Sequence, residues 1–104
     1  MTPPAWLPIR YRDFYDVPRL VVFERNDELF LLDSAFDDEA DEYSETFTVY
    51  RLPAAARALL DADSWANLSG MGEAIGQIDV DAVEFDPTRR SGVSATILRA
   101  LRIR

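Results

Sequence analysis

Histidine, cysteine and lysine are all missing from this chain of 104 residues. Histidine is the usual general base near neutral pH, and cysteine the most readily activated nucleophile. Lysine supplies the amine of Schiff bases. Their joint absence excludes Ser-His and Cys-His catalysis, thiolate redox work and nearly every structural zinc site. Carboxylate, hydroxyl, phenol and guanidinium are what remain for chemistry. No cofactor is expected, and no tightly bound transition metal, because imidazole and thiolate ligands are absent.

Long apolar runs are missing too. No segment approaches the roughly 20 apolar residues of a membrane span. The opening Met-Thr-Pro-Pro-Ala-Trp-Leu-Pro has neither a basic leader nor an apolar run of signal-peptide length. These readings predict a cytoplasmic protein with no membrane partner. Asn67-Leu68-Ser69 fits the glycosylation acceptor pattern, a coincidence in a chain with no secretory route.

A hydrophobic content of 48%, with 12% aromatic residues, predicts a folded globule. The length suits a single domain over residues 1–104. All eleven basic residues are arginine. Because arginine is universal here, codon bias in a GC-rich bacterial genome explains it better than selection for bidentate anion binding. Net charge is −8, distributed as +1 over residues 1–25, −8 over 26–51, −6 over 52–87 and +5 over 88–104. A nucleic-acid binder carries a basic stripe on an overall basic chain. The one basic segment follows two acidic thirds, so nucleic acid is not expected as a direct ligand.

Alternation of Ile9 and Tyr11 with Arg10 and Arg12 predicts a first strand over Ile9–Phe14. Tyr15-Asp16-Val17-Pro18 reads as a turn. Two apolar strands follow, Arg19–Arg25 and Glu28–Leu32, joined by Asn26-Asp27, a pair that tolerates the positive φ of a tight hairpin. Thr46–Leu52 is β-branched and aromatic and reads as the next strand. Pro53 then opens a short helix over Ala54–Leu60. Ser64 is placed to cap a second helical segment with Trp65, Leu68 and Ile75, although Gly70 and Gly72 oppose its continuation. Gln77–Phe85 returns to a strand pattern with an irregularity near Ala82. Val93, Ile97 and Leu101 stand at helical spacing, which predicts a closing helix from Ser91. The order β-β-β-β-α-α-β-α predicts an α+β fold around a mainly antiparallel sheet with two or three short helices.

The Leu20–Leu32 hairpin is apolar on both sets of alternating positions, so neither face of it suits water. A few short helices cover one face. The other needs either the loops and termini of the same subunit or a second copy, which makes a homodimer through this hairpin an expectation alongside full burial within one subunit.

Three segments invite a functional reading. The run from Asp33 to Glu45 holds seven carboxylates and no basic residue. Asp37, Asp38 and Asp41 within it are candidate binding residues for a cation or a basic protein. EF-hand spacing fails, since counting from Asp37 places Glu42 at the glycine position and Thr48 at the final glutamate. Weak magnesium or calcium binding at Asp37–Glu45 is therefore not favoured, and a solvated loop is the plainer account. Phe36 and Tyr43 suggest that its ends are pinned to the core. Gly70-Met71-Gly72-Glu73-Ala74-Ile75-Gly76 fails as a phosphate loop because the order of helix and strand is wrong and Glu73 repels an anion. The third segment packs Arg10, Arg12, Asp13, Tyr15, Asp16 and Arg19 close together. It offers an anion site or a carboxylate base. Arginine stacked on tyrosine and paired with aspartate is an ordinary end to a strand and the plainer account, because carboxylate chemistry needs a partner group that the sequence does not locate. The basic tail Arg89, Arg90, Arg99, Arg102 and Arg104 suits a helix C-terminus or the chain's own acidic regions.

Arg12-Asp13-Phe14-Tyr15-Asp16-Val17-Pro18-Arg19, Thr48-Val49-Tyr50-Arg51-Leu52-Pro53 and Glu84-Phe85-Asp86-Pro87-Thr88-Arg89-Arg90 resemble stretches from a family of small uncharacterised bacterial proteins. The resemblance spans most of the chain. It implies a bacterial cytoplasmic protein and no activity, cofactor or catalytic residue.

Two functions stand open. The first is a non-enzymatic binding or regulatory domain whose partner is a protein with a basic surface. The second is a small enzyme using Asp or Glu with Arg and Tyr, with or without a metal. The enzyme requires a concave pocket where one of these carboxylates meets an arginine or tyrosine.

Overall fold

A computed structural model describes residues 6–102. Residues 1–5 and 103–104, which include most of the segment read for a leader and Arg104 of the basic tail, lie outside the described residues.

Asn26 and Asp27 set the sheet. Both take positive φ, 53° and 65°, the left-handed pair that a two-residue hairpin turn demands. They join β2 (Val17–Arg25) to β3 (Glu28–Asp33) in a register running from Arg25↔Glu28 to Leu20↔Asp33. The preceding strand β1 (Trp6–Tyr15) folds back at Asp16, so that Tyr15 faces Val17 and Phe14 faces Pro18. After β3 the acidic run forms a small two-stranded hairpin, β4 (Phe36–Asp37) and β5 (Glu42–Tyr43). The chain returns as β6 (Thr46–Leu52), the bounds its composition predicts.

Three short helices and two further strands complete the fold. Helix α1 (Ala56–Asp61) is entered through a tight turn in which the Ala56 N–H donates to the Pro53 carbonyl at 2.9 Å. Helix α2 (Leu68–Met71) stops at Gly72, and β7 (Glu73–Asp79) begins at once. Ile75 therefore lies in a strand, and Ser64 caps nothing: its own N–H donates to the Leu59 carbonyl at 2.8 Å. Gly72 explains the break. A Cβ there would stand 2.9 Å from Tyr50 Cβ and 3.2 Å from the Arg51 carbonyl oxygen, so only glycine lets the chain cross β6 this closely. The irregularity predicted near Ala82 is a 3-10 turn over Val80–Ala82.

Val93 departs from its helical spacing. Gly92–Ser94 form strand β8 against the outer edge of β1, where Trp6 faces Ser94 and Leu7 faces Val93. Unpaired backbone groups on that edge account for the preference, because a short strand satisfies them and a helix does not. The Thr96 N–H then donates to Ser94 Oγ at 3.3 Å, and helix α3 occupies Thr96–Ala100.

The result is the predicted α+β class: a six-stranded sheet in the order β7-β6-β3-β2-β1-β8, antiparallel throughout. It is buried on both sides. One face packs Val21, Phe23, Phe30, Leu32, Phe47 and Val49 beneath Val83 and helix α3. The other packs Val22, Leu29, Leu31 and Leu52 beneath α1, α2 and Trp65. Val83 reaches the first face because residues 80–91 cross the sheet from the β7 edge to the β8 edge. Val21 is 0% exposed and Val22 4% within a single chain. The doubly apolar hairpin is thus covered within a single chain, as the alternative of full burial in one subunit requires. Among the described residues no helix is long and apolar enough to cross a membrane.

Candidate functional site

Many of the acidic residues have a local task. Eight non-glycine residues take positive φ among the described residues, while no glycine does. Six of the eight are Asp or Asn, the side chains best able to tolerate that conformation. Asp13, Asp16 and Asp41, three of the sequence-level candidates, are among them. Asp16 makes the β1–β2 reversal, and its carbonyl accepts from Arg89 at 3.0 Å. Asp37 is also engaged locally: its Oδ1 accepts from the N–H groups of Glu39 at 2.9 Å and Ala40 at 3.2 Å. Asp38 is exposed on the same loop.

The β1–β2 turn, the β3–β6 connection and the Val80–Ala82 turn all lie at one end of the sheet. That end is acidic. Asp37, Asp38, Glu39, Asp41, Glu42 and Glu45 are all exposed there, beside Asp79 and Asp81. None joins an ion pair among the described residues, where the paired carboxylates are Glu24, Glu28, Asp61 and Asp63. The same end carries the large exposed apolar side chains: Phe14 at 37%, Tyr15 at 61% and Phe36 at 46%. Phe36 meets Tyr43 edge-on with ring centres 5.0 Å apart, and Tyr43 lies 5.7 Å from Tyr15. Phe36 therefore sits on the surface rather than pinning the run to the core. Ser34 does the pinning. Its N–H donates to the Arg19 carbonyl at 2.8 Å and its buried hydroxyl to the Ser44 carbonyl at 2.8 Å.

Beside this end, a cleft of about 420 Å³ opens between β1, β2, the end of β3 and the approach to α2. Arg12, Asp13, Arg19, Asp33, Ser34 and Trp65 line it. The arrangement follows from strand alternation: Arg12 faces Leu20, which faces Asp33, on the sheet face shared with Leu29 and Leu31. Arg12 is engaged, pairing with Asp63 and standing 4.9 Å over the Trp65 ring. Arg19 donates Nε–H to the Tyr15 carbonyl at 2.9 Å and lies over Tyr43 at 5.2 Å and Tyr15 at 5.9 Å. Asp13 and Asp33 have no ion-pair partner among the described residues. Burial first, and the charge of Asp13 second, push the Asp33 carboxyl above its ordinary value.

The cleft thus gathers Arg12, Asp13 and Arg19 from the sequence-level cluster and leaves out the others. Arg10 instead reaches α1, pairing with exposed Asp61 at 3.3 Å. Tyr15 and Asp16 stay outside, on the aromatic end and in the turn. Arg90 stacks 4.2 Å over Phe14. Asp33 and Trp65 are the residues a sequence reading passes over. A signal for Asp33 exists, because it continues the Leu29, Leu31 alternation and so belongs to a strand, not to the solvated run. Trp65 has none, since its position depends on the α1–α2 connection. Among the described residues no three carboxylates are placed to share a metal ion. Comparison with protein-family models, curated proteins and solved structures finds no match.

Proposed function

We propose that this is a non-enzymatic binding domain, bacterial and cytoplasmic, whose acidic end holds a partner protein with a basic surface. The observation that supports it is a coincidence in space: unpaired carboxylates surround the exposed rings of Tyr15 and Phe36 at one end of the sheet. Protein interfaces concentrate aromatic side chains at their centre and charge at their rim. Complementary charge then steers encounter and rejects wrong partners. An inhibitor of a basic enzyme, in the manner of an antitoxin or immunity protein, is one specific form of this reading. Capture from the source organism at low and high salt tests it. A partner released by salt is expected, because charge pairing is screened within about 3 Å at molar salt. Recovery of no salt-sensitive partner would count against it.

A second reading, a small carboxylate enzyme, draws on the cleft. There a carboxyl with a raised pKa, Asp33, lies beside Asp13, Arg12 and Arg19, the kind of environment in which acids and bases are tuned. It requires turnover that Asp33→Asn abolishes while the fold is retained.

A further inference from the structure

The cleft presents unmet groups of both signs. Asp13 and Asp33 lack a basic partner, and Arg19 lacks an acidic one, among the described residues. Arg19 is held by the Tyr15 carbonyl, and its second nitrogen stands 3.5 Å from Ser34 Oγ. Trp65 lines the same cleft, while its indole N–H is closed off from solvent and keeps no acceptor among the described residues. Buried donors ordinarily find one.

These deficits define a ligand. A simple cation satisfies the two aspartates and leaves the guanidinium unmet. A simple anion answers the guanidinium but meets two carboxylates. One molecule that answers both carries an ammonium and a carboxylate. A cleft of about 420 Å³ falls within the usual range for small-molecule sites, roughly 300–1,000 Å³. Leu20 and Ala66 add apolar surface for a side chain.

We propose that this cleft binds a small zwitterion of the free amino acid type, carrying an ammonium and a carboxylate, with Asp13 and Asp33 receiving the ammonium and Arg19 the carboxylate. Burial, and then the charge of Asp13, raise the pKa of Asp33, and an ammonium beside it would offset both. The site borders the exposed rings through Arg19, which stacks on Tyr15, but its ligand is read on the isolated chain, without the partner protein. Failure here therefore leaves the partner reading standing.

The test uses amide correlation spectra of the whole protein. Glycine, alanine, leucine, phenylalanine and arginine are titrated to about 10 mM, each beside its N-acetyl derivative and its amide, a range that reveals Kd values into the millimolar. The expected result is a saturable shift at residues 12–20, 33–34 and 65–69 with at least one free amino acid. Blocking either end should weaken that binding about tenfold or more, the worth of a lost charge-assisted bond. Asp33→Asn should keep the native spectrum and weaken binding of the same amino acid to a like extent. No saturable shift with any of the five, shifts confined to other residues, or blocked derivatives that bind as tightly as the free amino acid would overturn the proposal.

Discussion

The Arg19 guanidinium stands 5.2 Å from the centre of the Tyr43 ring, and that stack ties strand β2 to the acidic hairpin. Tyr43 in turn contacts Phe36 and Tyr15, so one cation anchors the aromatic end. Arg19→Gln removes the stack together with the bond to the Tyr15 carbonyl. The expected loss is about 1–2 kcal/mol in urea unfolding. Arg19→Lys should recover only part of it, because an ammonium cannot lie flat on a ring and bond that carbonyl at once. A Gln variant as stable as the parent would mean that the stack contributes nothing.

Val21 and Val22 point to opposite faces of β2, and both faces are covered within one chain. Val21→Glu and Val22→Glu are therefore each expected to unfold the protein, since a buried unpaired carboxylate costs several kcal/mol, roughly 3 or more. Far-UV circular dichroism with light scattering reads the outcome. A folded monomer from either variant, out of a dimeric parent, would instead mark that face as a subunit interface.

Gly70 and Gly72 separate two uses of glycine. A Cβ at Gly70 meets nothing within 4 Å, and one at Gly72 collides with Tyr50 Cβ at 2.9 Å. Gly70→Ala should be neutral or stabilise by up to about 1 kcal/mol through helix propensity. Gly72→Ala should destabilise by about 1–3 kcal/mol, as overpacking does. Thermal unfolding of the two variants checks the contrast.

The strands that read plainly in the sequence are those whose signal is local. Asn26-Asp27 suits a tight hairpin by its own backbone preference, and Thr46–Leu52 is dense in β-branched and aromatic residues. Strand β8 was illegible because its cause lies in the open edge of β1, more than 80 residues away in sequence. Val93 consequently serves a ladder although its spacing to Ile97 imitates a helix. The candidate site divides the same way. Arg12, Asp13 and Arg19 are close in sequence and stay close in space. Asp33 and Trp65 join them only through strand pairing and the α1–α2 connection. Asp16 and Asp41 carried chemical promise in the sequence and turned out to hold left-handed backbone.

Asp33 is expected to make stability fall as pH rises. Its folded pKa lies above the ordinary 3.8, owing to burial and then Asp13. A raised folded value means that its contribution is fully present below the unfolded pKa and is lost as pH climbs through the folded one. Asp33→Asn should therefore stabilise the protein near neutrality, by no more than about 1 kcal/mol because solvent screens a half-exposed group. The gain should vanish in acid below about pH 4. Thermal melts at the two pH values decide it, and a variant less stable near neutrality would contradict this reading.

Partner binding through the aromatic end is tested most directly by the double variant Tyr15→Ala/Phe36→Ala. Both rings are exposed, at 61% and 46%, so their removal should leave the fold intact. Affinity for the salt-sensitive partner captured by the parent chain is the quantity to measure. A loss of about tenfold or more is expected, as for aromatic residues at the centre of an interface. Unchanged affinity in the folded double variant would place the partner elsewhere and contradict the proposed function.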